Sequence, residues 1–101
     1  MSLTVFLSID GETMRLKLSG RIDTMTAQNL YRGIRTSLDG ITNITMDFSN
    51  VEYLSSAGLR AILQAKKALP EGGTITVIHA NKTVRNIFTL SAFETFINIE
   101  E

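Results

Sequence analysis

The sequence contains no cysteine and only one histidine, and these two shortages limit the chemistry it can perform. Without cysteine there is no disulfide, no thiolate nucleophile and none of the usual structural zinc sites. His79 lies within a strand pattern and has no acidic or serine neighbour close to it in sequence, so we interpret it as a structural residue. The carboxylates show no metal-ligand spacing. We therefore predict no catalytic residue, no metal and no cofactor.

The sequence also has no excess of positive or negative charge, because its ten lysines and arginines balance its ten aspartates and glutamates. Such a chain has no long-range field to gather a phosphate backbone or anionic lipid, so we predict no nucleic-acid partner. No apolar run approaches the roughly 20 residues that cross a bilayer. The first residues show no secretory signal. We expect a cytoplasmic protein without membrane insertion.

The remaining composition is that of an ordinary globular protein, with 44% hydrophobic and 20% charged residues in 101 positions. This length is enough for one domain and too short for two. We therefore predict a single domain over residues 1–101.

Hydrophobic periodicity predicts an alternation of strands and helices. Strands are expected near residues 5–9, 14–18, 44–48, 75–80 and 96–99, and helices near residues 24–38, 55–69 and 83–88. The first two strands are joined by a tight turn and form an antiparallel hairpin. Strands separated by helices must cross over. The order β-β-α-β-α-β-α-β thus predicts an α/β fold with a mostly parallel mixed sheet of four or five strands and three helices.

Residues 47–59 form the segment with the strongest functional signal. A strand ends in an apolar loop, and two serines and a glycine then open a helix. Ser55 or Ser56 can cap this helix, which is worth about 1 kcal/mol and needs no further function. Gly58 costs up to roughly 1 kcal/mol relative to alanine in a helix. Close approach of a partner, or of the loop at Gly20, would explain it, so a cap alone and a functional loop both stay open.

Three segments, in this order along the chain, carry a family resemblance. Residues 20–23 are Gly-Arg-Ile-Asp, residues 55–59 are Ser-Ser-Ala-Gly-Leu, and residues 84–93 are Val-Arg-Asn-Ile-Phe-Thr-Leu-Ser-Ala-Phe. In these motifs the chain resembles STAS domains, the family of bacterial anti-sigma factor antagonists, over nearly its whole length. It departs from the family pattern where Ser55 replaces the aspartate before the phosphorylated serine and Ala57 replaces the following serine or threonine.

The resemblance implies a partner-switching protein that is not an enzyme. Ser56 falls on the phosphorylated serine, and Asp23 falls on the acidic loop position beside it. The partners implied are an anti-sigma factor that is also a serine kinase, bound while Ser56 is unphosphorylated, and a PP2C-type phosphatase that resets the serine. The residues implied in partner binding are Asp23, Ser55, Ser56, Gly58, Leu59 and Arg60. We expect the protein to be a monomer or a weak dimer.

Two other functions remain open at this stage. The same fold serves as the STAS subunit of a phospholipid-transport ABC complex, where it contacts the ATPase. An enzyme with Ser56 as its nucleophile would need a base, and His79 is the only histidine available.

Overall fold

The computed structural model describes residues 2–100 as five strands, three α-helices and one short 3₁₀ turn. In chain order these are β1 Leu3–Asp10, β2 Thr13–Ile22, α1 Thr24–Thr36, β3 Asn43–Leu54, α2 Ser56–Ala68, β4 Thr74–Ile78, α3 Lys82–Leu90, the 3₁₀ turn Phe93–Thr95 and β5 Asn98–Glu100. The predicted order of elements is confirmed.

The five strands form one mixed sheet in the order β1-β2-β3-β4-β5. Strands β1 and β2 pair antiparallel, and every later pair is parallel. Gly11, in the turn between β1 and β2, has a φ of 63°, a conformation that glycine adopts without steric cost. The predicted hairpin followed by parallel crossovers is confirmed.

All three α-helices lie on the same face of this sheet. Each crossover joins neighbouring strands and moves in the same direction, so right-handed connections place every helix on one side. The strand residues on that side are fully buried: Met14, Leu16, Ile44, Met46, Ile75 and Val77. Helix α3 closes the far end of this core, where the rings of Phe48 and Phe88 lie 5.9 Å apart. One layer of helices on one face of the sheet gives a single hydrophobic core.

The other face of the sheet is not covered by a helix. Most residues that alternate with the buried ones are polar and partly exposed, among them Arg15, Lys17 and Asp47. Nδ1 of His79 lies 3.3 Å from Oδ1 of Asp47, so the histidine has an acidic partner that is 32 positions away in sequence. Burial raises the pKa of the Asp47 carboxyl, but hydrogen bonds from Ser49 and His79 outweigh burial and hold this pKa below its ordinary value.

The structure corrects the expected end of β3. We expected the strand to stop near residue 49 and an apolar loop to follow, but β3 continues to Leu54. Two register shifts in the pairing of β2 with β3 allow this, because they turn Val51 and Leu54 back into the core. Such bulges keep the ladder while changing which side chains face inward. The segment before α2 is therefore a strand end, held by pairing.

Among residues 2–100, no helix combines the length and the apolar character that a transmembrane span requires.

Candidate functional site

The candidate site lies where the parallel strands β2 and β3 end side by side. Ile22 and Leu54 are paired residues in these strands, and the backbone N–H of Ser55 donates to the carbonyl of Ile22 at 2.9 Å. Asp23 and Ser55 directly follow the paired residues. The sheet therefore brings together two segments that are about thirty positions apart in the chain. In an open α/β sheet, the carboxyl ends of the strands are the usual place for a functional site.

Asp23 is the N-cap of α1. Its Oδ1 accepts hydrogen bonds from the backbone N–H groups of Met25 at 3.1 Å and Thr26 at 3.0 Å. In return, the Thr26 hydroxyl accepts from the Asp23 N–H at 2.8 Å, which completes a capping box. The hydrogen bond from the Thr26 backbone is the largest cause that lowers the pKa of Asp23, so its carboxylate is ionised at neutral pH. The cap places one fixed negative charge in the site.

Ser55 and Ser56 have different roles, which the sequence left open. Ser55 is the N-cap of α2, and its Oγ accepts from the backbone N–H of Gly58 at 3.2 Å. Ser56 is the first residue of the helix and is exposed. Its hydroxyl has no hydrogen-bond partner among residues 2–100. The structure thus separates a capping serine from a serine with a free hydroxyl.

Gly58 is buried beneath this surface, and internal packing explains why this position holds a glycine. A Cβ at this position would lie 2.5 Å from Cδ1 of Leu54 and 2.8 Å from Cγ2 of Ile22. The expectation that a partner or the loop at Gly20 explains the glycine gives way to this contact with two core side chains. Gly58 lets the first turn of α2 lie directly on the ends of β2 and β3, and this position holds Ser56 at the surface.

The remaining predicted site residues follow along α2. Leu59 is half-buried and packs against the core, whereas Arg60 is exposed. Of the six residues implied in partner binding, Ser56 and Arg60 are therefore the fully exposed pair, four positions apart on the same helix. Residues at this spacing are neighbours on a helix surface.

Sequence reasoning missed two contributors to this surface. Arg21 stacks over the ring of Tyr53, with its guanidinium carbon 4.3 Å from the ring centroid, and these residues are paired across β2 and β3. A cation–π contact of this kind is favourable. Thr24 is the exposed first residue of α1, the same position that Ser56 has in α2.

The one histidine of the sequence makes no contact with Ser56. His79 bonds to Asp47 and not to Ser56. Within residues 2–100, no three histidine or acidic side chains cluster as metal ligands. The site thus combines an exposed hydroxyl at the start of α2 with an ionised carboxylate at the start of α1.

Comparison with known proteins agrees with this geometry. The protein-family model described as "Mlab, STAS domain" matches residues 5–99. This match covers nearly the whole chain, and the chain belongs to the STAS domain family. The resemblance found in the three sequence motifs is thereby confirmed.

Several of the proteins similar to this chain carry the name of an anti-sigma factor antagonist. BtrV of Bordetella bronchiseptica, which carries the name of an anti-sigma factor antagonist, is 30% identical over 78 residues, or 75% of this chain and 67% of that protein. The crystal structure of an anti-sigma factor antagonist from Mycobacterium paratuberculosis shares the fold, with a TM-score of 0.86 and 23% identity over 98% of this chain and 86% of that one. SpoIIAA of Bacillus in its phosphorylated form has a TM-score of 0.75 and 20% identity over 95% of this chain and 90% of that one.

Proposed function

We propose that this protein is an anti-sigma factor antagonist that works by partner switching, without catalysis of its own. A single STAS domain over residues 1–101 acts in the cytoplasm and binds an anti-sigma factor that is also a serine kinase. Phosphorylation of Ser56 by that kinase releases the complex, and a PP2C-type phosphatase restores the free hydroxyl. The nucleotide belongs to the kinase, so this chain needs no cofactor.

The observation that carries the proposal is the free, exposed hydroxyl of Ser56. A kinase must reach the acceptor oxygen without unfolding the helix that bears it. Ser55 supplies the cap of α2 at 3.2 Å from the Gly58 nitrogen, so modification of Ser56 removes no capping bond. The neighbouring serine is thus free for regulation, at no cost to the helix.

The physical effect of the phosphate lies in the complex and not in the fold. A phosphoserine adds about −1.5 to −2 charge at neutral pH. At the N-terminus of α2 this charge is favoured by about 0.3–1 kcal/mol through the helix dipole. When a partner buries the same surface, desolvation of the phosphate costs several kcal/mol, and pairing with Arg60 offsets only part of this cost. A loss of about 4 kcal/mol weakens binding roughly a thousandfold. The intermolecular effect therefore dominates.

Asp23 strengthens this effect. Its carboxylate is ionised at neutral pH and lies at the adjoining strand end. Placing a phosphate at Ser56 brings two negative groups onto one small surface, and a partner that covers both must desolvate both. The proposed contact surface consists of Asp23, Ser55, Ser56, Leu59 and Arg60, with Gly58 as the buried residue that lets α2 pack closely enough to present it.

A binding experiment with three variants tests the proposal. The partner is the protein that co-purifies from the native host and has an anti-sigma or kinase domain. Ser56→Ala should bind that partner as the wild type does, and Ser56→Glu should bind it at least about a hundredfold more weakly, because burying the added charge costs several kcal/mol of desolvation. The matched control is Ser8→Glu, which adds the same charge on the open face of the sheet.

The outcomes separate the switch from a general effect of charge. Equal losses of affinity in Ser56→Glu and Ser8→Glu would show that long-range repulsion, and not burial of residue 56, weakens binding. Undiminished binding by Ser56→Glu would overturn the proposal.

A second candidate function is the STAS subunit of a phospholipid-transport ABC complex. The observation that favours it is Ser55, a neutral cap where the antagonist pattern has an aspartate before the phosphorylated serine. In that function the same strand-end surface contacts an ATPase, and no phosphate is involved. Co-purification with a membrane-associated ATPase, with Ser56 unmodified in both bound and free protein, would favour this candidate over the antagonist.

A further inference from the structure

The charges of this protein are divided between its elements, although the net charge is zero. The three helices contain no aspartate or glutamate. They do contain lysines and arginines: Arg32 and Arg35 in α1, Arg60, Lys66 and Lys67 in α2, and Lys82 and Arg85 in α3. Among residues 2–100 the carboxylates lie in the strands, in the turns and at the cap of α1 instead. The helices themselves are therefore positive, and the balance of ten against ten conceals it.

A groove of about 480 Å³ runs between two of these positive helices, α1 and α2. Arg32 and Arg35 line it from α1, and Arg60 lines it from α2. No aspartate or glutamate is among its lining residues. The guanidinium of Arg32 bonds the side chain of Asn29 at 3.2 Å, and within residues 2–100 none of the three arginines is paired with a carboxylate. Three cations thus converge on one groove without counter-charges.

The shape of the groove selects among anionic ligands. Ala27 and Ala61 also line the groove and are almost fully buried, so short side chains form its floor and another backbone can approach it closely. The groove is neither enclosed nor flat, and among the residues that the structure describes no buried polar side chain lines it. Sites for small anionic molecules usually enclose most of their ligand. An open channel between two helices matches the mode in which a partner helix lies in a groove.

From this arrangement we infer that the α1–α2 groove binds an acidic helical segment of a partner protein. Carboxylates of that segment pair with Arg32, Arg35 and Arg60, and its small residues lie over the floor of the groove. Arginine suits this role because its planar fork binds carboxylates through two hydrogen bonds. Three arginines in a chain of zero net charge supply too few phosphate contacts for strong binding to a nucleic acid.

The groove adjoins the proposed contact surface around Ser56. Phosphorylation of Ser56 can therefore regulate binding in the groove, an inference that rests on the proposed function. Ala57 and Arg60 line the groove, and Ser56 precedes Arg60 by one helical turn. A phosphate on Ser56 faces Arg60 in the favourable order, with the acidic group N-terminal to the basic one. Arg60 therefore pairs with the phosphate and no longer with a carboxylate of the acidic segment. The groove then has two cations for binding that segment and not three.

The test uses a defined probe, a fluorescein-labelled, alanine-rich helical peptide with glutamates three and four residues apart. Its affinity is measured by fluorescence anisotropy for the intact protein and for Arg32→Gln/Arg35→Gln, a variant altered only in α1. The control Lys66→Gln/Lys67→Gln loses the same charge from α2, outside the groove. We expect the Arg variant to bind about tenfold more weakly, which is the range for two exposed ion pairs, and the Lys variant to bind as the wild type does.

Three further probes exclude other ligands. A peptide with glutamine in place of each glutamate should not bind. Single-stranded RNA and vesicles of phosphatidylserine should bind more weakly than the acidic peptide. The Arg and Lys variants should also lose the same amount of affinity for each of these two ligands. Equal losses in the two variants, or tighter binding of RNA or vesicles, would overturn the inference.

The regulatory step has its own measurement. Ser56→Glu should lower affinity for the acidic peptide in the wild type and should lower it much less in an Arg60→Gln background. An equal loss in both backgrounds would contradict the role of Arg60. The peptide probe is not the anti-sigma factor, and the first test alters only α1. A groove that does not bind the acidic peptide therefore leaves the result of the Ser56 binding experiment unaffected. In the same way, failure of the Ser56 experiment leaves the peptide test unaffected.

Discussion

The Oγ atom of Ser55 accepts a hydrogen bond from the backbone N–H of Gly58 at 3.2 Å, and the next serine along the chain makes no such bond. Two adjacent hydroxyl groups thus differ in what they do for the fold. The first satisfies one of the amides left unpaired at the start of a helix. The second is exposed and free, so it can change its chemistry without changing the structure.

This difference predicts opposite stabilities for two alanine variants. Ser55→Ala should lower the free energy of unfolding by about 1 kcal/mol, because it removes the N-cap acceptor of α2. Ser56→Ala should leave that energy unchanged or raise it slightly, since alanine has the highest helix propensity and no bond is lost. Urea denaturation followed by circular dichroism measures both values. Similar losses for the two variants would show that the serines share the capping role.

Gly58 predicts a second pair of opposite effects. A Cβ at Gly58 would meet Leu54 and Ile22 within 2.8 Å, so Gly58→Ala should destabilise the protein by about 1–3 kcal/mol through overpacking. At Gly33, in the exposed part of α1, nothing lies within 4 Å of the added carbon. Gly33→Ala should therefore stabilise it by about 0.4–1 kcal/mol. Thermal unfolding of both variants distinguishes the two cases, and a stabilised Gly58→Ala protein would contradict the packing described here.

Asp23 predicts a dependence of stability on pH. The hydrogen bond from the Thr26 backbone lowers the pKa of Asp23 in the folded protein, so the unfolded chain takes up the proton first as the pH falls. The stabilisation is complete above the ordinary aspartate pKa of about 3.9, and it is lost as the pH drops through the lower folded value.

Asp23→Asn tests this assignment, since asparagine keeps an acceptor for the cap but has no titrating group. Its stability should fall less between neutral pH and about pH 3 than that of the wild type, because the linked proton is missing. Denaturant unfolding across this range gives both curves. If the two curves run parallel, another carboxylate dominates the acid response.

A negative charge at residue 56 should not harm the isolated protein. The first turn of α2 has no acidic residue, and a charge there interacts favourably with the helix dipole. Ser56→Glu should raise the free energy of unfolding by about 0.3–1 kcal/mol, an effect that salt reduces. A destabilised Ser56→Glu would mean that phosphorylation acts by loosening the helix.

Much of the fold was predictable because its signals are local. Alternation in β1 and β2, helical spacing in α1 and the glycines at the turns depend only on neighbours in the chain. The two register shifts that extend β3 to Leu54 depend on pairing with β2, and single-strand periodicity cannot show them. His79 is a similar case, because Asp47, its acidic partner, lies on the neighbouring strand.

The site was predictable in its residues and less so in their roles. Ser55 and Ser56 have the same side chain, and only the direction of the chain entering α2 decides which of them caps the helix. The meaning of Gly58 required the positions of Ile22 and Leu54. The groove of Arg32, Arg35 and Arg60 was hidden by a net charge of zero, because charge separation between helices and strands appears only when the elements are assigned.

Phosphopeptide mapping of the protein from its native host tests the central proposal most directly. The free pool and the partner-bound pool are digested separately, and fragment ions distinguish Ser56 from Ser55 and from Thr24, the exposed threonine at the equivalent position of α1. We predict phosphate on Ser56 in the free pool and an unmodified Ser56 in the bound pool. Phosphate on Thr24 alone, or equal occupancy of Ser56 in both pools, would contradict the proposed switch.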